Sequence, residues 1–141
     1  MQCAVVDIGP EKLLALDFQA NAQCPVWLCK FLGRGDDRLL KYNHNDAIIS
    51  VDRTEAMDRA YAQLKTGKNL MPANYRFILN GFYVSEMTCP VREVSENNKG
   101  DLKYSWTKGN DHSYLADCYD IMASDILQED VITGNQSIYI G

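Results

Sequence analysis

The chain has 141 residues, 46% of them hydrophobic, with four Pro and nine Gly, a composition that predicts one soluble domain able to bury a core. Fourteen Lys and Arg against 19 Asp and Glu leave a net charge of −5, which excludes a polycation that coats nucleic acid through bulk charge and leaves room for a local basic groove. No run reaches the ~18 apolar residues of a membrane helix, and the opening MQCAVVDIGPEK lacks the basic flank and cleavage pattern of a signal peptide, so an intracellular location is expected.

Residues 3–8 form a short β-branched run stopped by Gly9 and Pro10, the pattern of a buried strand that carries one acid, Asp7, at its carboxyl end. Pro10 suits a first helical position and Glu11 the positive end of a helix, with Leu13, Leu14, Leu16 and Phe18 as the apolar stripe. Val26 to Leu32, bounded by Pro25 and Gly33, reads as a second strand. Strand, helix and strand make a βαβ unit, which favours parallel pairing.

Residues 34–46 are polar and punctuated and read as a loop with a weak strand at Leu39 and Leu40; 47–51 is a third strand. Asp52 followed three residues later by Glu55 is a capping-box pattern, and Met57, Ala60, Tyr61 and Leu64 recur at helical spacing before Gly67. The apolar stretch 74–87 predicts one short helix and a connection. Segments 91–94 and 102–106 flank a polar turn and predict a hairpin. A last helix is expected over 111–128, with Leu115, Cys118, Tyr119, Met122 and Ile126 on one face; residues 129–141 are a tail without signal.

Five cysteines without a CxxC pair argue against a zinc site and a disulfide scaffold. The absence of GxSxG, GxGxxG and GxxxxGK[ST] disfavours a serine hydrolase and a P-loop ATPase within this chain. Two acids stand where chemistry is plausible: Asp7 at a strand's carboxyl end and Asp111 in the first turn of the last helix, where the macrodipole keeps a carboxylate ionised and able to bind a hard cation. The bland alternative for each is a capping charge. As a first-turn charge, Asp111 should cost no more than ~1 kcal/mol to neutralise. Asp117 lies about 120° around the helix from Asp111, at ~100° per residue, and is a poor partner for one metal.

The segment 106–112 (WTKGNDH), with Tyr119 seven residues after His112, resembles the C-terminal nuclease domain of bacteriophage and prophage large terminase subunits. Three further stretches carry the resemblance in order: 5–11 (VVDIGPE) is similar to that family's second acidic strand, 49–58 (ISVDRTEAMD) to its VNRTE strand-to-helix junction, and 89–94 (CPVREV) to the strand opening its hairpin.

The resemblance implies an α/β, RNase H-like mixed sheet flanked by helices and lacking the first strands of the full fold, over residues 1–128. It implies a metal-dependent endonuclease that cuts concatemeric double-stranded DNA during packaging, with Mg or Mn as cofactor. Asp7 and Asp111 would be the second and third metal acids, with Glu11 and His112 as secondary candidates. The first acid has no match here, unless Asp7 takes its place and Asp36 or Asp37 supplies another. The implied partners are DNA, the terminase ATPase domain and small subunit, and the capsid portal, in the host cytoplasm and without a membrane. The expected DNA-facing charges are Lys30, Arg34, Arg38 and Lys41 around the first loop and Lys99, Lys103 and Lys108 on the hairpin. The competing reading is a non-catalytic remnant or docking module of the packaging motor.

Overall fold

The computed structural model describes residues 3–32, 40–70, 72–78 and 81–133. Its elements, in chain order, are β1 (Ala4–Asp7), α1 (Lys12–Asn21), β2 (Val26–Leu32), β3 (Leu40–Asn43), β4 (Ile48–Asp52), α2 (Arg53–Lys65), α3 (Tyr75–Ile78), α4 (Phe82–Thr88), β5 (Arg92–Glu96), β6 (Leu102–Trp106) and α5 (His112–Thr133). They form an α/β architecture with a four-stranded mixed sheet, order β1-β2-β4-β3, and a separate two-stranded sheet, β5-β6. The chain falls into two compact units.

The first unit holds β1, α1, β2 through Phe31, β3, β4 through Val51, and α5 from Tyr119 onward. The βαβ expectation is met: β1 and β2 run parallel, with Ala4 opposite Val26 and Asp7 opposite Cys29. Four consecutive residues of β2, Val26 to Cys29, are buried, the signature of a strand covered on both faces rather than one. β3 and β4 pair antiparallel, Leu40 opposite Val51 and Asn43 opposite Ile48. The turn between them is held by Asn43, whose Oδ1 accepts the amide of Asn45 (3.1 Å) while its Nδ2 donates to Asp46 (2.8 Å). Ile121, Met122 and Ile126 of α5 are buried in this unit together with Ile49 and Val51.

Helix α1 exists, but its expected stripe is turned outward. Leu13, Leu14, Leu16 and Phe18 are exposed, and Ala15 alone on that helix is buried, packed with Val26 and Leu28. The reason lies in the spacing: positions 13, 14, 16 and 18 do not fall on one face at 3.6 residues per turn, whereas a small alanine lets the helix approach the sheet closely. The helix also starts later than expected. The Gly9–Pro10 bond is cis, Glu11 is the N-cap without a side-chain capping bond, and the first helical residue is Lys12.

The second unit runs from Asp52 through Cys118 and adds the end of β2. Its capping signal is met, since Asp52 Oδ1 accepts the amide of Glu55 at 3.0 Å. The buried face of α2 is Ala56, Met57 and Ala60; Tyr61, expected on it, is half exposed and lies against Trp106 instead (centroids 5.9 Å apart). The 74–87 stretch makes two short helices, α3 and α4, with Gly81 left-handed (φ 67°) ahead of α4. The hairpin is confirmed, Arg92 opposite Trp106 and Glu96 opposite Leu102. Its turn is closed by Asn97, whose Oδ1 accepts the amides of Lys99 (2.8 Å) and Asp101 (2.9 Å), with Gly100 at φ 85° supplying the left-handed step. α5 extends past the expected end near 128, to Thr133.

Candidate functional site

The second unit builds a polar junction where the base of the hairpin, the start of α2 and the start of α5 converge. Thr107 closes the hairpin: its amide donates to the Val91 carbonyl (2.9 Å), and its hydroxyl oxygen accepts the Val91 amide (2.8 Å). Arg53, the first helical residue after the Asp52 cap, sends its guanidinium to the carbonyls of Trp106 (3.1 Å) and Thr107 (3.3 Å) and to the carboxylate of Asp111. Asp111 is only 5% exposed, and its carbonyl accepts the first helical bond of α5, from Leu115 (3.0 Å). This charge is therefore buried and paired, a different situation from the solvated first-turn charge expected above.

One oxygen of Asp111 is taken by Arg53. Among the described residues, no side-chain oxygen or nitrogen wholly shut off from solvent lacks a partner. The second carboxylate oxygen, to which no described residue donates, thus keeps contact with solvent.

Two further acids brace the junction. Glu86 of α4 caps α5 through Ser113, and those two hydrogen bonds, the hydroxyl's first and the amide's second, hold its carboxyl below the usual range. Asp58 of α2 accepts from Arg92 at both oxygens (2.8 and 2.9 Å) and from the Trp106 indole (2.8 Å). The Arg92 bond lowers the Asp58 carboxyl below its ordinary value, against the opposing effect of burial. The interior beneath is aromatic and thiol-bearing. Tyr114 Oη donates to the Met57 carbonyl (3.1 Å) and Cys118 Sγ to the Ala56 carbonyl (3.5 Å). Burial pushes both acids upward, Cys118 to about 12.

The residues singled out from sequence distribute as follows. Asp111, His112, Lys99, Lys103 and Lys108 belong to the second unit, with all but Asp111 exposed. Asp7, Glu11, Lys30 and Lys41 belong to the first and are exposed. Asp7 ends β1 and folds back on its own turn, accepting the Gly9 amide at 3.1 Å, so it does not cap α1. Arg34, Arg38, Asp36 and Asp37 lie outside the described residues. Trp106 is a packing residue, between Tyr61 and Tyr114. Arg53, Asp58 and Glu86 were not singled out. Arg53 had one available signal: a buried acid needs a cation, and this arginine opens the helix of the 49–58 junction.

Carboxylate oxygens are the donors that Mg and Mn take, and Asp7 and Asp111 are of that type. Among the described residues no group of three or more His, Cys, Asp and Glu side chains gathers to hold a metal ion. Among them, too, no helix is long and apolar enough to cross a membrane. No family model, no curated protein and no solved structure matches the chain.

Proposed function

We propose that the chain is the C-terminal portion of an RNase H-like nuclease domain of the phage large-terminase type, and that the complete domain cuts double-stranded DNA during packaging. The observation that carries this reading is the junction at Asp111: a hairpin that runs into a helix whose opening acid is buried, fixed by Arg53 and left with one oxygen toward solvent. The parallel β1-β2 pair, with an acid at the carboxyl end of β1, is a second point of agreement. Mg or Mn, when bound, would supply activation of water and neutralisation of the charge that develops on the phosphoryl group. Asp111 of the second unit would contribute one hard ligand, and Asp7 of the first is the other acid that the resemblance names. A further acid would come from a segment outside residues 1–141. The exposed Lys103 and Lys108 suit phosphate contacts, and the ATPase domain, small subunit and portal are the partners this reading carries with it.

A non-catalytic docking module of the packaging motor is the second reading, and one observation favours it: Arg53 already neutralises Asp111. Plasmid nicking with Mn at low salt separates the two, comparing this chain with a longer form fused at its N-terminus to a strand that carries the missing first acid. The nuclease reading expects weak or no cutting by the chain alone and strong cutting by the longer form, abolished by Asp7→Ala and by Asp111→Asn. A longer form that binds DNA and does not cut supports the docking reading.

A further inference from the structure

The ladder of the β5-β6 ribbon has a fixed phase. At its root the Thr107 amide donates to the Val91 carbonyl, and at its turn the Asn97 amide donates to the Asp101 carbonyl, both in the register of the strands between them. Bonded and non-bonded pairs alternate in an antiparallel ladder. Glu93 and Ser95 therefore bond inward to β6, and the N–H and C=O groups of Arg92, Val94 and Glu96 point to the outer edge of β5. All five residues of that strand are exposed, and among the described residues no backbone group outside the ribbon bonds to this edge. The outer edge of β6 differs, because Arg53 already occupies the Trp106 carbonyl.

An open edge accepts another strand, and the side chains select which. Turned end for end and laid against itself with Val94 opposite Val94, β5 sets Arg92 opposite Glu96 twice and Glu93 opposite Ser95 twice, so unlike charges meet and like charges do not. The same register brings the outward groups of Arg92, Val94 and Glu96 in both copies into bonding positions. A slip of one residue loses that phase, and a slip of two toward the root sets Glu93 against itself. Asp58 takes Nε and Nη2 of Arg92, while Nη1 is bonded to none of the described residues. Val94 and Tyr104, opposite one another on one face of the ribbon, are both exposed and would form a continuous row with their copies.

We infer that a second copy of this chain pairs along the outer edge of β5, antiparallel and centred on Val94, so that two ribbons join into one four-stranded sheet. The interface is isologous and does not depend on what Asp111 does.

The test is the oligomeric state of the full chain, by sedimentation over a concentration series. So short a pairing falls below the ~1,200 Å² of a stable interface, and half-dimerisation is expected on the order of 0.1 mM. Val94→Pro removes only an outward N–H, which an edge strand tolerates, and should weaken the dimer at least about tenfold. Glu96→Lys and Arg92→Glu each set like charges opposite one another and should each dimerise about tenfold more weakly, whereas their equimolar mixture pairs unlike charges and should return to within about threefold of the wild type. A chain still monomeric at about 1 mM, a dimer indifferent to Val94→Pro, or a mixture no better than its components overturns the inference. A dimer lost with Leu14→Gln and kept in Val94→Pro belongs to the exposed side of α1 and also overturns it. Should Arg92→Glu fail to fold, the unaltered chain decides. In a mixture of isotope-labelled and unlabelled copies, the α-proton of Glu93 should show a nuclear Overhauser contact to that of Ser95 in the other copy, the closely spaced non-bonded pair of this register; a dimer without that contact rejects the inference.

Discussion

Glu86 receives both hydrogen-bond donors of Ser113 on a single oxygen, the amide at 2.9 Å and the hydroxyl at 2.5 Å. The residue that caps α5 thus comes from another helix, more than twenty positions upstream in the chain, and sets the first turn, which His112 opens and Asp111 immediately precedes. A negative charge there also meets the positive end of the helix.

That carboxylate is held below its ordinary range, so its contribution to stability is present above the usual glutamate pKa and is lost as pH falls through the lower folded value. Glu86→Gln should lower the melting temperature at neutral pH, and the gap to the wild type should close in acid. Thermal scans at several pH values check this; a gap that persists in acid assigns the effect to packing instead.

Asp111→Asn is expected to cost about 2 kcal/mol of stability, more than an exposed first-turn charge. Breaking a buried pair leaves its partner's charge uncompensated, here moderated because Arg53 is partly exposed and keeps its two carbonyl partners. Urea unfolding gives the number directly, and a cost below about 0.5 kcal/mol, the usual scale of exposed ion pairs, contradicts the buried pair.

Cys118 and Tyr114 are acids that burial keeps protonated. Raised folded-state pKa values mean that their stability is fully present below the unfolded values and declines as pH rises past about 9 for the thiol. The wild type should therefore weaken with increasing pH in the alkaline range, and Cys118→Ala and Tyr114→Phe should each flatten part of that slope. In the native chain a thiol reagent should label the exposed Cys89 and spare the buried Cys118 and Cys29; equal labelling of all three argues against this core.

Removing the Asp58 acceptor should free the Trp106 indole N–H. In a Trp27→Phe background Trp106 is the remaining tryptophan. There, Asp58→Ala should red-shift the emission and cost on the order of 1 kcal/mol, the scale of one partly exposed hydrogen-bonded charge. Unchanged emission contradicts the bond.

Elements with a local cause were legible in the sequence. The Asp52 cap, the parallel βαβ pair and the hairpin around Asn97 each rest on residues near one another in the chain, and they fold as expected. What escaped rests on tertiary partners. The outward turn of Leu13, Leu14 and Phe18 follows from which face of α1 meets the sheet, and the two helices in place of one over 74–87 follow from the left-handed Gly81. Asp111 was found as an acid, but its burial was not, because its partner Arg53 is 58 residues away.

The β5-β6 ribbon is exposed along all of β5 and most of β6, and two strands alone are marginal in water. Its ties to α2, Asp58 to Arg92 and Arg53 to the carbonyls of Trp106 and Thr107, sit at one end, and the Asn97 turn closes the other. Amide exchange should then be slow at the Arg92–Trp106 end and at the Asn97-closed turn, and faster around the exposed Val94–Tyr104 rung between them. A partner that grips the tip therefore works only against the turn's own hydrogen bonds, whereas one that pries at the base must first break the contacts that seat Asp111.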